Sequence, residues 1–396
     1  MDIYPTAAEV IRSVPVDLPV LCQRPHAAMR SARWFLDNFP GETLYAVKAN
    51  DASWVVSALF NAGIGHFDVA SIPELRLVSG LPGAKMHVMH PVKSRRLIAE
   101  AYHDFGVRTF ALDSEAELEK ILTETGNAKD LTLMVRVACP STYSEISLEG
   151  KFGASWAVAP QLIREARQAA GALGITFHAG SQMMCPIGYG QTLRTVSQQI
   201  KQAASTVDIV DVGGGFPARY PGLEPPTLDV YMDEIRSAFD QMAVGYSCEL
   251  WCEPGRALVA EAESVLVKVD ARRGETLYIN DGAFGALYDA AHCKWVYPAR
   301  AYSSTGDLLA ARNVEFDLYG PTCDSADHLP GPFMLPGSIG EGDFVEIGNI
   351  GAYGRVMAGH FNGCGYFDEA VLEDEPQLSM FTESETGGIV SGISGL

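Results

Sequence analysis

Between residues 43 and 256, short apolar runs rich in β-branched residues alternate with longer stretches whose apolar positions recur at helical spacing. Eight of the runs read as strands: Thr43–Ala49, His66–Ser71, Lys85–His90, Thr109–Asp113, Thr132–Ala138, Ile175–Gly180, Asp208–Gly213 and Cys248–Glu253. Between them Lys93–Phe105, Pro160–Ala172, Gln191–Ser205 and Leu228–Met242 read as helices. Strand–helix alternation builds parallel sheets, and eight such strands predict an α/β fold of the closed (β/α)8 TIM-type barrel rather than an open sheet.

The texture changes after about residue 260. Ser264–Asp270, Glu275–Asn280, Asn313–Tyr319 and Asp343–Ile347 read as strands joined by Gly-containing turns. The expected organisation is a barrel over residues 24–260 and a C-terminal β-rich domain, barrel or sandwich, over 261–396 that includes a strand from residues 1–23. The tail from Glu375 is rich in Ser and Gly and is expected to be loose.

The barrel register places particular residues. Lys48, Asp68, His90, Asp113, Arg136, His178, Gly213 and Glu253 fall at the C-terminal ends of the eight strands, the face where such barrels carry their active sites. Phosphate sites in these barrels commonly use the loops after strands 7 and 8. Here those loops hold Gly213-Gly214-Gly215 and Gly255-Arg256. Glycines let backbone N–H groups approach a phosphate, and an arginine adds a bidentate contact.

A single lysine at a strand end is ordinarily a surface charge. Lys48 gains weight from its company: a glycine cradle, the carboxylate Glu253, and the thiol of Cys323 in Gly320-Pro321-Thr322-Cys323-Asp324. A carbonyl-binding lysine, a phosphate cradle, a carboxylate for a pyridine nitrogen and a thiol proton donor suit pyridoxal 5'-phosphate. A barrel mouth is expected to desolvate Lys48 enough to keep some amine neutral. A carboxylate facing the ring nitrogen makes the ring a strong electron sink, whereas an arginine there would suit racemisation. His178 in Phe177-His178-Ala179-Gly180-Ser181 is either a satisfied core histidine or a ring that stacks on a flat cofactor, with Ser181 at the phosphate. Asp289 of Tyr288-Asp289 and Asp324, if they converge on one pocket, would select a substrate ending in an amine.

Charge narrows the partners. With 29 Lys and Arg against 49 Asp and Glu, the formal net charge is −20, which repels nucleic acid and anionic membrane and mildly favours cationic substrates. No secretory signal or membrane-length apolar run is apparent, so a cytoplasmic setting with eight reduced cysteines is expected. His87 and His90 are three apart on a strand and point to opposite faces, so no metal is expected.

Taken in order, YAVKAN, FDVAS, DSEAEL, KFG, HAGSQ, DVGGGFP, EPGR, YINDG, LYD, GPTCD, GAYG and FNG span nearly the whole chain. Together they resemble the eukaryotic-type ornithine decarboxylase family of the alanine-racemase-like fold group. The resemblance implies that Lys48 binds the cofactor carbonyl, Glu253 pairs with the pyridine nitrogen, and His178 stacks on the ring. It implies that Ser181, Gly214, Gly215, Gly255, Arg256 and Tyr353 hold the phosphate, with Asp68 and Arg136 lining the site near Lys48. Tyr288, Asp289, Asp324 and Phe361 would form the substrate pocket, and Cys323 would protonate the α-carbon after CO2 leaves. It further implies a homodimer in which the barrel of one protomer meets the Cys-Asp loop of the other.

Two departures touch the pocket: Cys364 stands where the family usually has an aromatic after FNG, and Ala290–Trp295 has no evident counterpart. The implied activity is decarboxylation of a basic L-amino acid, ornithine to putrescine first. Lysine/ornithine dual activity, then arginine, diaminopimelate or carboxynorspermidine decarboxylation, are the alternatives. The acid in Cys323-Asp324 favours a diamine over diaminopimelate, and one methylene separates ornithine from lysine by only about 1–3 kcal/mol. Outside catalysis, an antizyme-inhibitor-like regulator would share the fold, but Lys48, Glu253, Arg256, Cys323 and Tyr353 are all present. A carrier of the cofactor would be a bare barrel, shorter than this chain.

Overall fold

In the computed structural model, which describes residues 2–381, all eight expected barrel strands form: Glu42–Ala46, His66–Val69, Lys85–Val88, Thr109–Leu112, Thr132–Arg136, Ala172–Thr176, Ile209–Asp211 and Glu249–Cys252. They are parallel and close into a barrel in chain order, the eighth pairing with the first. Most are shorter at their C-terminal ends than the apolar runs that announced them. Val47, Ala49, Phe177 and Ala179 are fully buried although they lie beyond the strand ladder. Burial, which produces the apolar pattern, therefore continues into the loops that leave the sheet. The sixth strand departs most, lying at Ala172–Thr176 instead of Ile175–Gly180. The chain turns away before Gly180, whose φ is +100°.

Leu44, Met89, Ala111, Met134, Ile209 and Trp251 pack as a separate cluster enclosed by the strands. A far larger core lies between the strands and the surrounding helices. Helices Arg95–His103, Ala159–Ala169, Ile187–Ala203 and Leu228–Asp240 occupy the expected stretches. Ser71, Ser94 and Ser114 cap their helices by accepting the N–H of Glu74, Leu97 and Glu117, which fixes where each loop ends.

The second sheet has nine strands. Its long central strand, Glu263–Arg273, pairs with Val20–Gln23, Thr276–Ile279 and Phe344–Ile347. The first 23 residues supply two strands, since Ile3–Tyr4 also pairs with Asp368–Leu372. Buried Arg24 pins this junction: it donates to Ser264 Oγ, Glu346 Oε1 and Asp374 Oδ1, each at 2.8 Å.

Contrary to the expectation of a loose tail from Glu375, residues 375–381 are packed against the body. Ser379 Oγ and the Met380 N–H both donate to Glu261, and the Phe381 ring meets Trp34 edge-on at 6.0 Å. The remainder of that tail, 382–396, lies outside the described residues. No described helix is long and apolar enough to cross a membrane.

Candidate active site

A cavity of about 430 Å³ opens at the C-terminal face of the barrel. Of the residues read from the sequence, Lys48, Asp68, His90, Arg136, His178, Ser181, Arg256, Tyr288, Asp289 and Tyr353 line it. They come from segments spread along the chain from Lys48 to Tyr353, and barrel closure and the packing of the second sheet on the barrel are what join them. Ala70, Met89, Ile146, Leu148, Lys151, Phe152 and Met357 complete the wall.

Lys48 lies in a single 3-10 turn, Val47–Ala49, directly after the first strand. That turn is clamped to the second sheet. Asn50 donates to Glu263 Oε2 at 2.9 Å and to the Gly351 carbonyl at 2.8 Å, and the Tyr353 N–H donates to the Ala49 carbonyl at 2.8 Å. The Lys48 side chain lines the cavity and is 43% exposed, and Nζ is 2.5 Å from Asp68 Oδ2. Enclosure favours a neutral amine, but Asp68 and then Glu253 outweigh it and hold the ammonium above its ordinary range. The sequence reading weighed desolvation alone; Asp68, in contact with the amine, is the group that opposes it.

Glu253 follows the eighth strand and is buried, its Oε1 without a hydrogen-bond donor. Burial, then Asp211 and Asp68, push its carboxyl well above the usual carboxylate range. His178 follows the sixth strand. Burial, reinforced by Arg136 and Lys48, holds its imidazole well below its ordinary range, so it presents a neutral ring to the cavity.

Beside it runs the glycine loop. A Cβ at Gly214 would sit 2.8 Å from the Glu253 carbonyl oxygen and 2.9 Å from His178 Nε2. Gly215 has φ of +100°, and a Cβ there would run into the Gly180 carbonyl. Only glycine allows this loop to lie so close to strands 6 and 8.

Arg256 begins the short helix Arg256–Val259, immediately after Gly255. Its guanidinium is buried between the rings of Trp295 and Tyr353, 4.9 Å from each centroid. It donates to Tyr220 OH at 3.2 Å and to Asp289 Oδ2 at 2.9 Å. Two residues expected to meet different ligands are thus an ion pair here. Trp295 and Tyr220 were missed by sequence reasoning. Trp295 lies in the one segment without a counterpart, and nothing in the sequence tied it to Arg256.

Cys323, Asp324 and Phe361 do not line the cavity. Cys323 is exposed, and its N–H donates to Asn362 Oδ1 at 3.2 Å. Asp324 is exposed, and its Oδ1 accepts the Ala326 N–H at 2.9 Å. Phe361 is also exposed, its ring 5.2 Å from that of Phe284. One chain therefore brings Lys48, Arg256 and Asp289 to one cavity, keeps Glu253 buried outside its lining, and leaves the Cys-Asp loop facing outward. Among the described residues no group of three or more His, Cys, Asp or Glu is placed to hold a metal.

Residues 26–260 match the family described as pyridoxal-dependent decarboxylase, pyridoxal binding domain. The lysine/ornithine decarboxylase of Selenomonas ruminantium is 30% identical over 348 residues, 85% of this chain and 84% of that one. The ornithine decarboxylase of Mus musculus is 31% identical over 365 residues, 84% of this chain and 75% of that one. Among solved structures, the Paramecium bursaria Chlorella virus arginine decarboxylase bound to agmatine superposes with a TM-score of 0.81. It is 25% identical and covers 92% of this chain and 100% of its own.

Proposed function

The chain belongs to the pyridoxal-dependent decarboxylases, and from that premise we propose that it removes the α-carboxylate of a basic L-amino acid, L-ornithine first, to give putrescine and CO2. The class of enzyme and its cofactor, pyridoxal 5'-phosphate, follow from the family; the choice of substrate and the roles of individual residues are our reading. Similarity to a lysine/ornithine decarboxylase also favours a second reading, in which lysine is accepted alongside ornithine.

The residues present fit the cofactor. Glu253 Oε1 is a buried acceptor without a donor, which a protonated ring nitrogen would satisfy. The floor formed by Gly214 and Gly215 has no room for a Cβ, which leaves their backbone free to face a phosphate. This unmet acceptor beside a cavity-facing lysine is the observation that carries the proposal. Lys48 would hold the cofactor carbonyl, His178 would stack on the ring, and Ser181, Gly214, Gly215, Gly255, Arg256 and Tyr353 would hold the phosphate. When bound, pyridoxal phosphate supplies the electron sink into which the pair left by departing CO2 is delocalised.

The chain's own residues do the rest. Asp68 keeps the Lys48 amine placed and protonated until it is needed as a nucleophile. Arg136 and Lys151 give the cavity rim a positive charge suited to a substrate carboxylate. Ile146, Leu148, Phe152 and Met89 dry the wall, and so favour loss of carboxylate charge as CO2. Tyr288 and Asp289 offer the distal ammonium a carboxylate at the other end. Cys323 delivers a proton to the α-carbon and Asp324 adds the second acid, both from the loop of a second protomer, with Phe361 on the pocket wall. This requires a homodimer with shared sites. We place the enzyme in the cytoplasm.

The test is CO2 release by the cofactor-loaded protein with L-ornithine, L-lysine and L-arginine in parallel, the amines identified by mass. Putrescine as main product supports the proposal, and cadaverine at matching efficiency supports the second reading. No amine from any of the three sinks both.

A further inference from the structure

Two buried side-chain oxygens beneath the cavity lack a donor: Oδ2 of Asp211 and Oε1 of Glu253. Asp211 is completely buried and Glu253 nearly so. They extend from the seventh and eighth barrel strands, paired neighbours in which Asp211 is level with Trp251. The Glu253 N–H donates to the Gly213 carbonyl at 2.8 Å, drawing the two strand ends together. Trp251 belongs to the cluster enclosed by the barrel, so Asp211 beside it and Glu253 two residues further on present their carboxyls to the same inner face of adjacent strands, where each acts on the other's ionisation.

Two buried carboxylates side by side do not both stay ionised. The groups around them are Lys48 and Asp68 at the ends of strands 1 and 2, Thr176 and His178 at strand 6, and Cys252 at strand 8. Lys48, the cation among them, is engaged by Asp68 at 2.5 Å. His178 is neutral. A single proton between the carboxyls gives each a partner and removes the conflict. The second oxygen of Asp211 is already used: Oδ1 accepts the Gly213 N–H at 2.8 Å.

We propose that Asp211 is a positioning residue that holds a proton shared with Glu253, and that it locks the ring-facing carboxylate and the glycine loop into one unit. The proposal rests on the reading that Glu253 faces the ring nitrogen. Protonated Asp211 donates to one Glu253 oxygen and leaves the other to accept from the ring. Through Gly213 the same side chain sets the backbone that precedes Gly214 and Gly215. Asparagine reproduces both contacts, with Nδ2 donating to Glu253 and Oδ1 accepting from Gly213, whereas alanine keeps neither.

The experiment is infrared spectroscopy of the holoenzyme at neutral pH with 13C-labelled aspartate, alongside Asp211→Asn, Asp211→Ala and Glu253→Gln. The wild type is expected to show the carbonyl band of a protonated aspartic acid, shifted by the label and absent from Asp211→Asn. Asp211→Asn is expected to keep kcat and the cofactor absorbance within a few-fold. Asp211→Ala is expected to lose kcat and cofactor affinity about tenfold or more, the weight of a hydrogen bond to a charged group. Absence of the labelled band in the wild type, or equal damage from Asn and Ala, overturns the proposal. If Asp211→Ala does not fold, the band and the Asn variant still decide. If Glu253→Gln leaves the cofactor spectrum and turnover intact while the wild-type band is present, the ring-nitrogen reading falls and the shared proton stands.

Discussion

Arg256 and Asp289 form a pair whose side chains are 3% and 8% exposed, with Nη2 and Oδ2 2.9 Å apart. Replacing Asp289 with alanine leaves a guanidinium in an enclosed site without its counter-ion. Breaking a buried pair from one side costs about 3–5 kcal/mol. Arg256 keeps the Tyr220 hydroxyl and two aromatic faces. Each cation–π contact is worth about 0.5–2 kcal/mol, so the low end, about 3 kcal/mol, is expected. A cofactor phosphate would supply the anion that alanine removed. The variant should therefore be destabilised strongly without cofactor and much less with it. The assay is thermal unfolding of wild type and Asp289→Ala, each stripped and loaded with pyridoxal phosphate. The expected result is a larger cofactor-induced rise in midpoint for the variant, with a raised KM for the basic substrate. Equal destabilisation in both states would refute the claim that Arg256 meets the phosphate.

Four further outcomes follow from the geometry. Lys48→Ala should abolish the visible absorbance of the bound cofactor and reduce turnover to background, read by spectrophotometry and CO2 release. Gly215→Ala, at a φ of +100° against the Gly180 carbonyl, should cost about 1–3 kcal/mol in strain and weaken pyridoxal phosphate more than phosphate-free pyridoxal, read by equilibrium dialysis. Trp295→Leu removes one face from Arg256 and should weaken the cofactor about 2- to 30-fold, read by fluorescence titration. Burial, reinforced by His66 and Lys85, pulls buried His87 down to about 3 from an ordinary 6.5. The unfolded chain then binds the extra proton between those values, so stability is lost as pH falls below 6.5, by up to about 1.4 kcal/mol per unit. His87→Asn should flatten that slope in urea unfolding between pH 7 and 5.

The residues that announced themselves in the sequence did so because a barrel collects strand ends. Lys48, His178 and Glu253 each sit just past a strand and Asp68 near the end of one, and eight such strands suffice to predict that they meet. Pairwise contacts were not legible. That Asp211 and Glu253 share the inner face of neighbouring strands, or that Arg256 pairs with Asp289 beneath Trp295, depends on which strands are neighbours after closure and how a distant helical turn, Tyr288–His292, packs on the barrel rim. The surroundings of Lys48 were read incompletely for the same reason: the reading weighed desolvation and could not see Asp68 at 2.5 Å. Residues 375–381 read as loose because the tail was taken as one Ser- and Gly-rich stretch, yet the buried carboxylate of Glu261 gathers them in through Ser379 and Met380.

The central claim is that the cavity lined by Lys48 is where the cofactor sits. It is tested most directly by reducing the loaded enzyme with borohydride and locating the pyridoxyl mass by peptide mapping. The account predicts one modified residue, Lys48, with the label lost in Lys48→Ala and blocked by excess phosphate-bearing competitor. Modification at Lys93, Lys151 or scattered surface lysines, with Lys48 untouched, would contradict it.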